Sequence, residues 1–190
     1  MTGRCFTVFD TAIGSCGLAW SEAGVIAVQL PEGDAARTRA RLLRRVPDAA
    51  EAPPTPAIAD VIAGIVALLS GERRDLRDVA IDDRGIPDFN RRVYAIARQI
   101  PPGETMTYGE IAERLGDRSL SRAVGQAMGE NPTPIVMPCH RVLAVSGRTG
   151  GFSAPGGVAT KLRLLTIEGA APGGPTLLDA LPLAAAPHRR

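Results

Sequence analysis

Residues 107–129 read TYGEIAERLGDRSLSRAVGQAMG and hold two short helical patterns. Thr107 and Glu110 have the spacing of a capping box, in which each side chain bonds a backbone N–H group at the other residue. An apolar pattern with helical spacing follows directly. The segment therefore predicts a first helix from Tyr108 to Leu115.

A turn and a second helix follow. The glycine-containing turn is Gly116-Asp117-Arg118, and Ser119 or Ser121 can cap the next helix because hydroxyl oxygens accept from the free N–H groups at a helix start. The apolar side of this helix is formed by Val124, Ala127 and Met128. Such a pair of short helices is typical of a helix-turn-helix, although a plain helical hairpin has the same pattern.

Working outward, the rest of the chain reads as a small sheet followed by helices. The predicted elements are strands at 6–9, 16–20 and 25–30, helices at 34–45 and 58–69, a last strand at 79–81 and a helix at 89–100. We expect an α/β (α+β) protein with a small N-terminal sheet-plus-helix domain at 1–82, a mostly helical C-terminal domain with the helix-turn-helix at 83–170, and a flexible tail at 171–190.

The composition is that of an ordinary globular protein, with 190 residues, 45% hydrophobic and 22% charged. This excludes a mainly disordered chain, a collagen-like fibre and a coiled coil. No apolar run is long enough to span a bilayer, and no signal peptide is evident at the N-terminus. Cys5, Cys16 and Cys139 are too few for a disulfide framework, so we expect a cytoplasmic protein without membrane contact.

The net charge of +2 hides an uneven distribution. Between Arg118 and Arg163 there are six basic residues and one acidic residue, Glu130. The six are Arg118, Arg122, Arg141, Arg148, Lys161 and Arg163. This predicts a concentrated basic surface, which attracts nucleic acid, anionic lipid or nothing in particular.

The segment NPTPIVMPCHRV, residues 131–142, holds the candidate nucleophile. Cys139 stands between Pro138 and His140-Arg141, whereas buried structural cysteines have apolar neighbours. Prolines restrict the backbone, and nearby cationic or hydrogen-bonding groups would lower the thiol pKa and raise the fraction of thiolate. These features suit a nucleophile; a cysteine that simply fills a loop is the alternative.

Pro138-Cys139-His140-Arg141-Val142 resembles the active-site motif of the O6-alkylguanine-DNA alkyltransferases, also called methylated-DNA–protein-cysteine methyltransferases. Further segments follow the family's order and approximate spacing: TYGEIA at 107–112, SRAVGQAM at 121–128, NP at 131–132 and IEG at 167–169. The resemblance is specific over residues 88–170 and looser over residues 6–81, where only the order of elements is similar.

The resemblance implies direct repair of alkylated DNA, with no cofactor. The family moves an alkyl group from guanine O6 to the motif cysteine, here Cys139, by SN2 displacement, and each molecule acts once because nothing reverses the thioether. By resemblance, His140 deprotonates Cys139 through a water, Glu168 orients His140, and Tyr108 protonates N3 of the departing guanine. A thiolate suits this attack because it is strongly nucleophilic near neutral pH.

The resemblance also implies how double-stranded DNA is bound. The family places its helix-turn-helix in the minor groove and flips the target base out of the duplex. Arg122 would enter the base stack, Ser121 would contact DNA at the helix start, and small residues (Ala123, Gly125 and Ala127) allow close approach of the helix. Because repair acts at any sequence, affinity should come largely from phosphate contacts. We expect a monomer.

The substrate pocket has its own assignments by resemblance. Asn131 ties the second helix to the active-site segment, and Pro138, Phe152 and Ser153 belong to the pocket. Ser153 can offer its backbone N–H to guanine O6, and Phe152 stands where a tyrosine is common. Ala154-Pro155 looks like a two-residue insertion in the loop that walls the alkyl pocket. We therefore hypothesise an altered preference for the size of the alkyl group.

No metal is expected, although some family members carry zinc in the N-terminal domain. Besides Cys139, the thiolates are Cys5 and Cys16, and of the two histidines His140 is engaged at the motif while His188 lies in the tail. Four ligands of the usual type are therefore not available.

Other functions fit part of the pattern. A non-catalytic sensor of alkylated DNA would lack the reactive cysteine, and a transcription regulator would not need the Pro-Cys-His-Arg motif. A cysteine hydrolase would need a well-separated His and Asn or Asp pair, which is not recognisable. A variant that acts on bulkier O6-alkyl adducts stays open because of the loop insertion.

Overall fold

The computed structural model describes residues 3–145 and 149–170, so the tail predicted at 171–190 lies outside the described residues. The strands are β1 (Cys5–Thr11), β2 (Gly14–Ser21), β3 (Gly24–Gln29), β4 (Ala50–Glu51), β5 (Met106–Thr107) and β6 (Val142–Leu143). The helices are α1 (Ala35–Arg45), α2 (Pro56–Leu69), α3 (Asp88–Ala97), α4 (Tyr108–Arg114), α5 (Ser121–Gly129) and α6 (Gly157–Ile167). The predicted mixed α/β class with a small N-terminal sheet is confirmed. Within the described ranges, no helix is long and apolar enough to cross a membrane.

The N-terminal sheet has the strand order β3-β2-β1-β4. β1, β2 and β3 form an antiparallel meander, and β4 pairs parallel to β1. The predicted last strand at 79–81 is wrong, because only Ile81 forms a single parallel bridge, to Val25. Gly24, at the hairpin, has φ +138°, and the carbonyl of Ala80 lies so close that a Cβ at Gly24 would clash with it.

Helices α1 and α2 bury their apolar faces against this sheet. Leu42 of α1 packs with Phe6 of β1, while Ile65 and Leu68 of α2 join the larger core of β2 and β3. Burying each such side chain contributes about 1.5–3 kcal/mol. Thr55 caps α2 through a hydrogen bond to the Ile58 N–H group.

The two predicted short helices, α4 and α5, are present with a different connection. The Thr107–Glu110 capping box forms at α4. A 3₁₀ turn, Arg118–Leu120, then leads directly into α5, so neither serine caps α5 as predicted. Ser121 Oγ instead donates to the carbonyl of Arg118 at 2.6 Å.

The C-terminal half packs against the N-terminal sheet through the segment that precedes Cys139. Ile135, Val136 and Leu164 lie in the same apolar cluster as the buried residues of β2, β3 and α2. The N–H group of Val28 also donates to the carbonyl of Pro132 at 3.0 Å. Pairing of β5 with β6 joins Met106–Thr107 to Val142–Leu143, which holds the start of α4 beside the cysteine motif.

Candidate active site around Cys139

The backbone before Cys139 is folded around the side chain of Asn131. Asn131 Nδ2 donates to the Met137 carbonyl at 2.8 Å, and its Oδ1 accepts from the Thr133 N–H group at 2.9 Å. Between these contacts, Ile135 has φ +76°, an uncommon conformation for a β-branched residue. Its side chain is fully packed in the core, so the surrounding structure holds this strained turn in place.

Cys139 begins a short 3₁₀ helix, Cys139–Arg141, and its thiol is buried. It lies in an apolar cluster with Met137 and Val142, which the polar neighbours in the sequence did not indicate. Asn131 Nδ2 donates to Sγ at 3.0 Å. Burial raises the pKa of the Cys139 thiol, while the Asn131 hydrogen bond and the Lys161 charge act in the opposite direction. The thiol is therefore protonated at neutral pH.

Behind Cys139, a buried carboxylate holds both His140 and Arg141. His140 Nε2 lies 2.9 Å from Glu168 Oε1, and Arg141 forms a fork to the same carboxylate at 2.7 and 2.8 Å. Burial alone raises the pKa of Glu168, but the hydrogen bonds from His140 and Arg141 lower it to about 2. Burial lowers the pKa of His140, so its imidazole is neutral at rest.

The neutral imidazole has a definite orientation. With Glu168 accepting from the Nε2–H group, Nδ1 carries the lone pair. Nδ1 is buried and has no hydrogen-bond partner among the described residues. His140 is therefore oriented as a base.

Lys161 lies beside the candidate active site, a position that was not predicted from the sequence. Its side chain is fully buried, its Nζ donates to the Val142 carbonyl at 2.6 Å and it lies 5.7 Å from the centre of the Tyr108 ring. Burial lowers the pKa of Lys161 to about 8, so most of it is charged at pH 7. A signal was present in the sequence, because Lys161, Leu164 and Leu165 share one helical face.

Tyr108, the first residue of α4, faces the same space as Cys139. Burial raises the pKa of the phenol, and a negative charge on Cys139 raises it further. Gly150 packs against this residue: its φ is +65°, and a Cβ there would lie 2.9 Å from the Tyr108 hydroxyl oxygen. Only glycine fits this position without moving the ring.

Two pockets meet at Cys139. The helix-side pocket, about 570 Å³, is lined by Tyr108, Ser121, Arg122, Gly125 and Cys139, and by residues 151–153. The sheet-side pocket, about 280 Å³, is lined by Leu30, Arg45, Pro134 and Cys139, and by residues 152–155. Phe152 and Ser153 therefore stand between the two pockets.

Helix α5 exposes most of the residues that the resemblance assigns to DNA binding. Arg122 is exposed, while Ser121, Ala123 and Gly125 are partly exposed. Ala127 is buried in the core, as its place on the apolar side of the helix predicted, and it is therefore not available for the close approach to DNA that the resemblance implied. Its carbonyl accepts from the Tyr94 hydroxyl at 2.8 Å.

Ala154-Pro155, interpreted from the sequence as an insertion, lines the sheet-side pocket and not the helix-side pocket. Ala154 packs against the core of the N-terminal sheet. Its carbonyl accepts from the Gly157 N–H group at 3.0 Å, and the Pro155 carbonyl accepts from Thr160 Oγ1 at 2.6 Å. The insertion is thus an ordered turn that leads into α6.

The predicted basic surface is smaller than the sequence indicated. Arg141 and Lys161 are buried, where they donate to Glu168 and to the Val142 carbonyl. Arg118, Arg122 and Arg163 are exposed. Arg148 lies outside the described residues, as does His188.

In the part of the chain that is described, no three His, Cys, Asp or Glu side chains are grouped as metal ligands would be.

The C-terminal half of the chain resembles a known protein family. Residues 88–170 match the family described as "6-O-methylguanine DNA methyltransferase, DNA binding domain". The methylated-DNA–protein-cysteine methyltransferase of Mycolicibacterium paratuberculosis is 43% identical over 124 residues, which cover 65% of this chain and 73% of the relative.

Solved structures are similar over most of the chain. The crystal structure of Mycobacterium tuberculosis O6-methylguanine methyltransferase has a TM-score of 0.69 and 31% identity, covering 93% of this chain and 98% of that one. The M. tuberculosis OGT in complex with DNA has a TM-score of 0.67 and 34% identity, covering 86% and 92%. With its cysteine motif, its buried His-Glu pair and these relatives, the chain belongs to the methylated-DNA–protein-cysteine methyltransferase family.

Proposed function

We propose that this protein repairs O6-alkylguanine in DNA by moving the alkyl group, in a single turnover, to Cys139. The observation that carries the proposal is the position of the Cys139 thiol. It lines a pocket with Tyr108 and Arg122, and the next residue in the chain, His140, is bound to the buried Glu168. The name of the M. paratuberculosis relative supports the same reaction.

The first step is removal of the thiol proton. Because burial raises the pKa of Cys139, the thiolate must be made at the time of reaction. His140 accepts the proton at Nδ1 through a water, and Glu168 stabilises the imidazolium that forms. Asn131 and Lys161 then stabilise the thiolate, the first by a direct hydrogen bond and the second by its charge.

The second step is displacement at the alkyl carbon. A C–S bond forms to Sγ, the C–O6 bond breaks, and its electron pair passes to the guanine. Tyr108 gives its proton to N3, so that the base leaves neutral. The raised pKa keeps Tyr108 protonated until then. His140 gains one proton and Tyr108 loses one, so the total number of protons is unchanged. Exchange with solvent then returns both side chains to their starting protonation states.

DNA is the partner that the family match and the M. tuberculosis complex support. In our proposal α5 lies in the minor groove, Arg122 takes the place of the flipped base and Ser121, Ala123 and Gly125 lie against the backbone. Arg122 is suited to this because it is exposed and lines the helix-side pocket together with Cys139. One chain supplies every residue named, so in this proposal a monomer is sufficient for the reaction.

The test is recovery of normal guanine in DNA. A duplex with one O6-methylguanine inside a restriction site is incubated with increasing protein, and cleavage is measured. We expect one site restored per protein molecule and none with Cys139→Ala. Tight binding without any restored site would instead identify a sensor of alkylated DNA, and repeated turnover would contradict the suicide reaction.

A further inference from the structure

The sheet-side pocket contains positively charged side chains that methyl transfer does not use. Cys139 lines this pocket and Tyr108 does not, and Arg41 and Arg45 of α1 form part of its wall. A methyl group needs no such space, since the helix-side pocket already contains Cys139. The positive wall therefore calls for an explanation of its own.

Arg45 is held in the wall by weak contacts. Its guanidinium donates to the carbonyls of Val28 and Asn131, each at 3.5 Å, and it pairs with no carboxylate within residues 3–145 and 149–170. Although much of the residue is exposed, these two contacts are partly buried. Burial and the neighbouring Arg41 charge lower the pKa of Arg45, so an anion in the pocket would be favourable.

The other charges near the pocket are already engaged. Arg41 has Glu32 at 4.0 Å. Glu130, which also lines the pocket, accepts from Asn90 Nδ2 at 2.9 Å and from Gln126 Nε2 at 3.1 Å. Of the two arginines, Arg45 is thus the one without a carboxylate partner among the described residues, and it lines the same pocket as Cys139.

We propose that the sheet-side pocket receives the far end of O6-alkyl groups that carry a carboxylate, with Arg45 as the residue that binds the carboxylate. The inference rests on the proposed alkyl transfer and adds a substrate class to it. Phe152 and Ser153 line both pockets, so a substituent on the reacting carbon can pass beside them from one pocket to the other.

The physical reason is repulsion between two negative charges. A carboxylate on the reacting carbon repels the approaching thiolate of Cys139, which slows the displacement. A cation placed beforehand at the carboxylate offsets this repulsion in the transition state. The bonds are those of methyl transfer: C–S forms, C–O6 breaks, and the carboxylate stays on the transferred group.

The test compares two substrates of equal size. Duplexes contain O6-carboxymethylguanine or its neutral amide, O6-carbamoylmethylguanine, and single-turnover transfer to Cys139 is followed by mass spectrometry. The measured quantity is the ratio of the two rates within each variant, which cancels any general effect on folding or catalysis. We expect Arg45→Gln to lower the ratio of carboxymethyl to carbamoylmethyl transfer about tenfold. Arg45→Lys should retain part of the preference.

Arg39→Gln is the matched control, because Arg39 lies on the same helix but pairs with Glu51 and does not line the pocket. It should leave the ratio unchanged. An unchanged ratio in Arg45→Gln, or an equal fall in Arg39→Gln, would overturn the role of Arg45. Transfer from O6-methylguanine by the parent protein is measured alongside: its absence would instead overturn the proposed function.

Discussion

Cys16 in the N-terminal sheet and Cys139 in the C-terminal half are both buried thiols, but their surroundings differ. Cys16 is fully enclosed by the core of β2, β3 and α2, and its Sγ lies 3.8 Å from Thr11 Oγ1. Burial raises the pKa of Cys16 to about 11, and the weaker effect of Thr11 acts in the opposite direction. Cys139 is also buried, yet it receives a hydrogen bond of 3.0 Å from Asn131 and lines two pockets.

The comparison teaches that burial alone does not separate a structural cysteine from a nucleophile. The pKa of both thiols is raised by desolvation. What differs is a donor aimed at the sulfur, a nearby cation, an oriented base and an opening to substrate. Each of these features around Cys139 can be removed separately.

The largest effect is expected from Tyr108→Phe. The variant keeps the ring against Gly150 but cannot protonate guanine N3, so we expect methyl transfer to slow about a thousandfold. Single-turnover assays with O6-methylguanine DNA measure the rate. Alkylation of Cys139 by iodoacetamide, which needs no proton from Tyr108, should change little. A transfer rate within a few-fold of the parent would remove Tyr108 from the mechanism.

Glu168→Gln should cost about 3 kcal/mol of unfolding free energy, because it leaves the buried Arg141 without its carboxylate. Urea denaturation measures the loss. The matched control is Glu113→Gln at the exposed pair with Arg118, where we expect a change of about 0.5 kcal/mol or less.

The same residue gives a pH dependence with a definite sign. The pKa of Glu168 is lowered from 4.5 to about 2 in the folded protein, so its stabilising contribution is present above pH 4.5 and is lost as the pH falls toward 2. Glu168→Gln should lack this part of the acid sensitivity. Identical acid profiles for the variant and the parent would contradict the assigned ion pair.

Asn131→Ala should raise the pKa of the Cys139 thiol further, because the thiolate loses its hydrogen bond. The pH dependence of iodoacetamide labelling, read on the Cys139 peptide, measures the shift. Thr11→Val is the counterpart at Cys16, where the longer contact predicts a smaller shift. In the folded parent, Cys16 should label far more slowly than Cys139; equal labelling would remove the distinction between the two sites.

The smallest effect is expected in the loop. Deleting Ala154-Pro155 should change the ratio of transfer rates from O6-methylguanine and O6-benzylguanine by about threefold, because the inserted residues line the sheet-side pocket. Single-turnover rates on the two substrates give the ratio. An equal ratio with and without the insertion would end the hypothesis that it alters alkyl-size preference.

Local patterns explain which features could be predicted from the sequence. The Thr107–Glu110 capping box and the start of α4 follow from residues three apart. The cap of α5 was predicted wrongly, because a 3₁₀ turn that depends on Asp117 precedes it. Two-residue pairings such as β1 with β4 carry no periodicity, so β4 could not be found.

Long-range contacts explain what was missed at the site. Lys161 and Arg141 are counted as surface charge in the sequence, and only the folded chain brings them to the Val142 carbonyl and to Glu168. Arg45 reaches the Asn131 carbonyl from a helix 86 residues earlier in the chain. No local pattern predicts such a contact, although the shared face of Lys161 with Leu164 gave a usable signal for burial.

Intact-protein mass spectrometry after reaction with DNA that contains one O6-methylguanine tests the central claim most directly. The parent protein and Cys16→Ser should each gain the mass of a single methyl group replacing a hydrogen, at most once per molecule. Cys139→Ser should gain nothing. A methyl group on the Cys139→Ser variant, or none on the parent while the DNA is still repaired, would contradict transfer to Cys139.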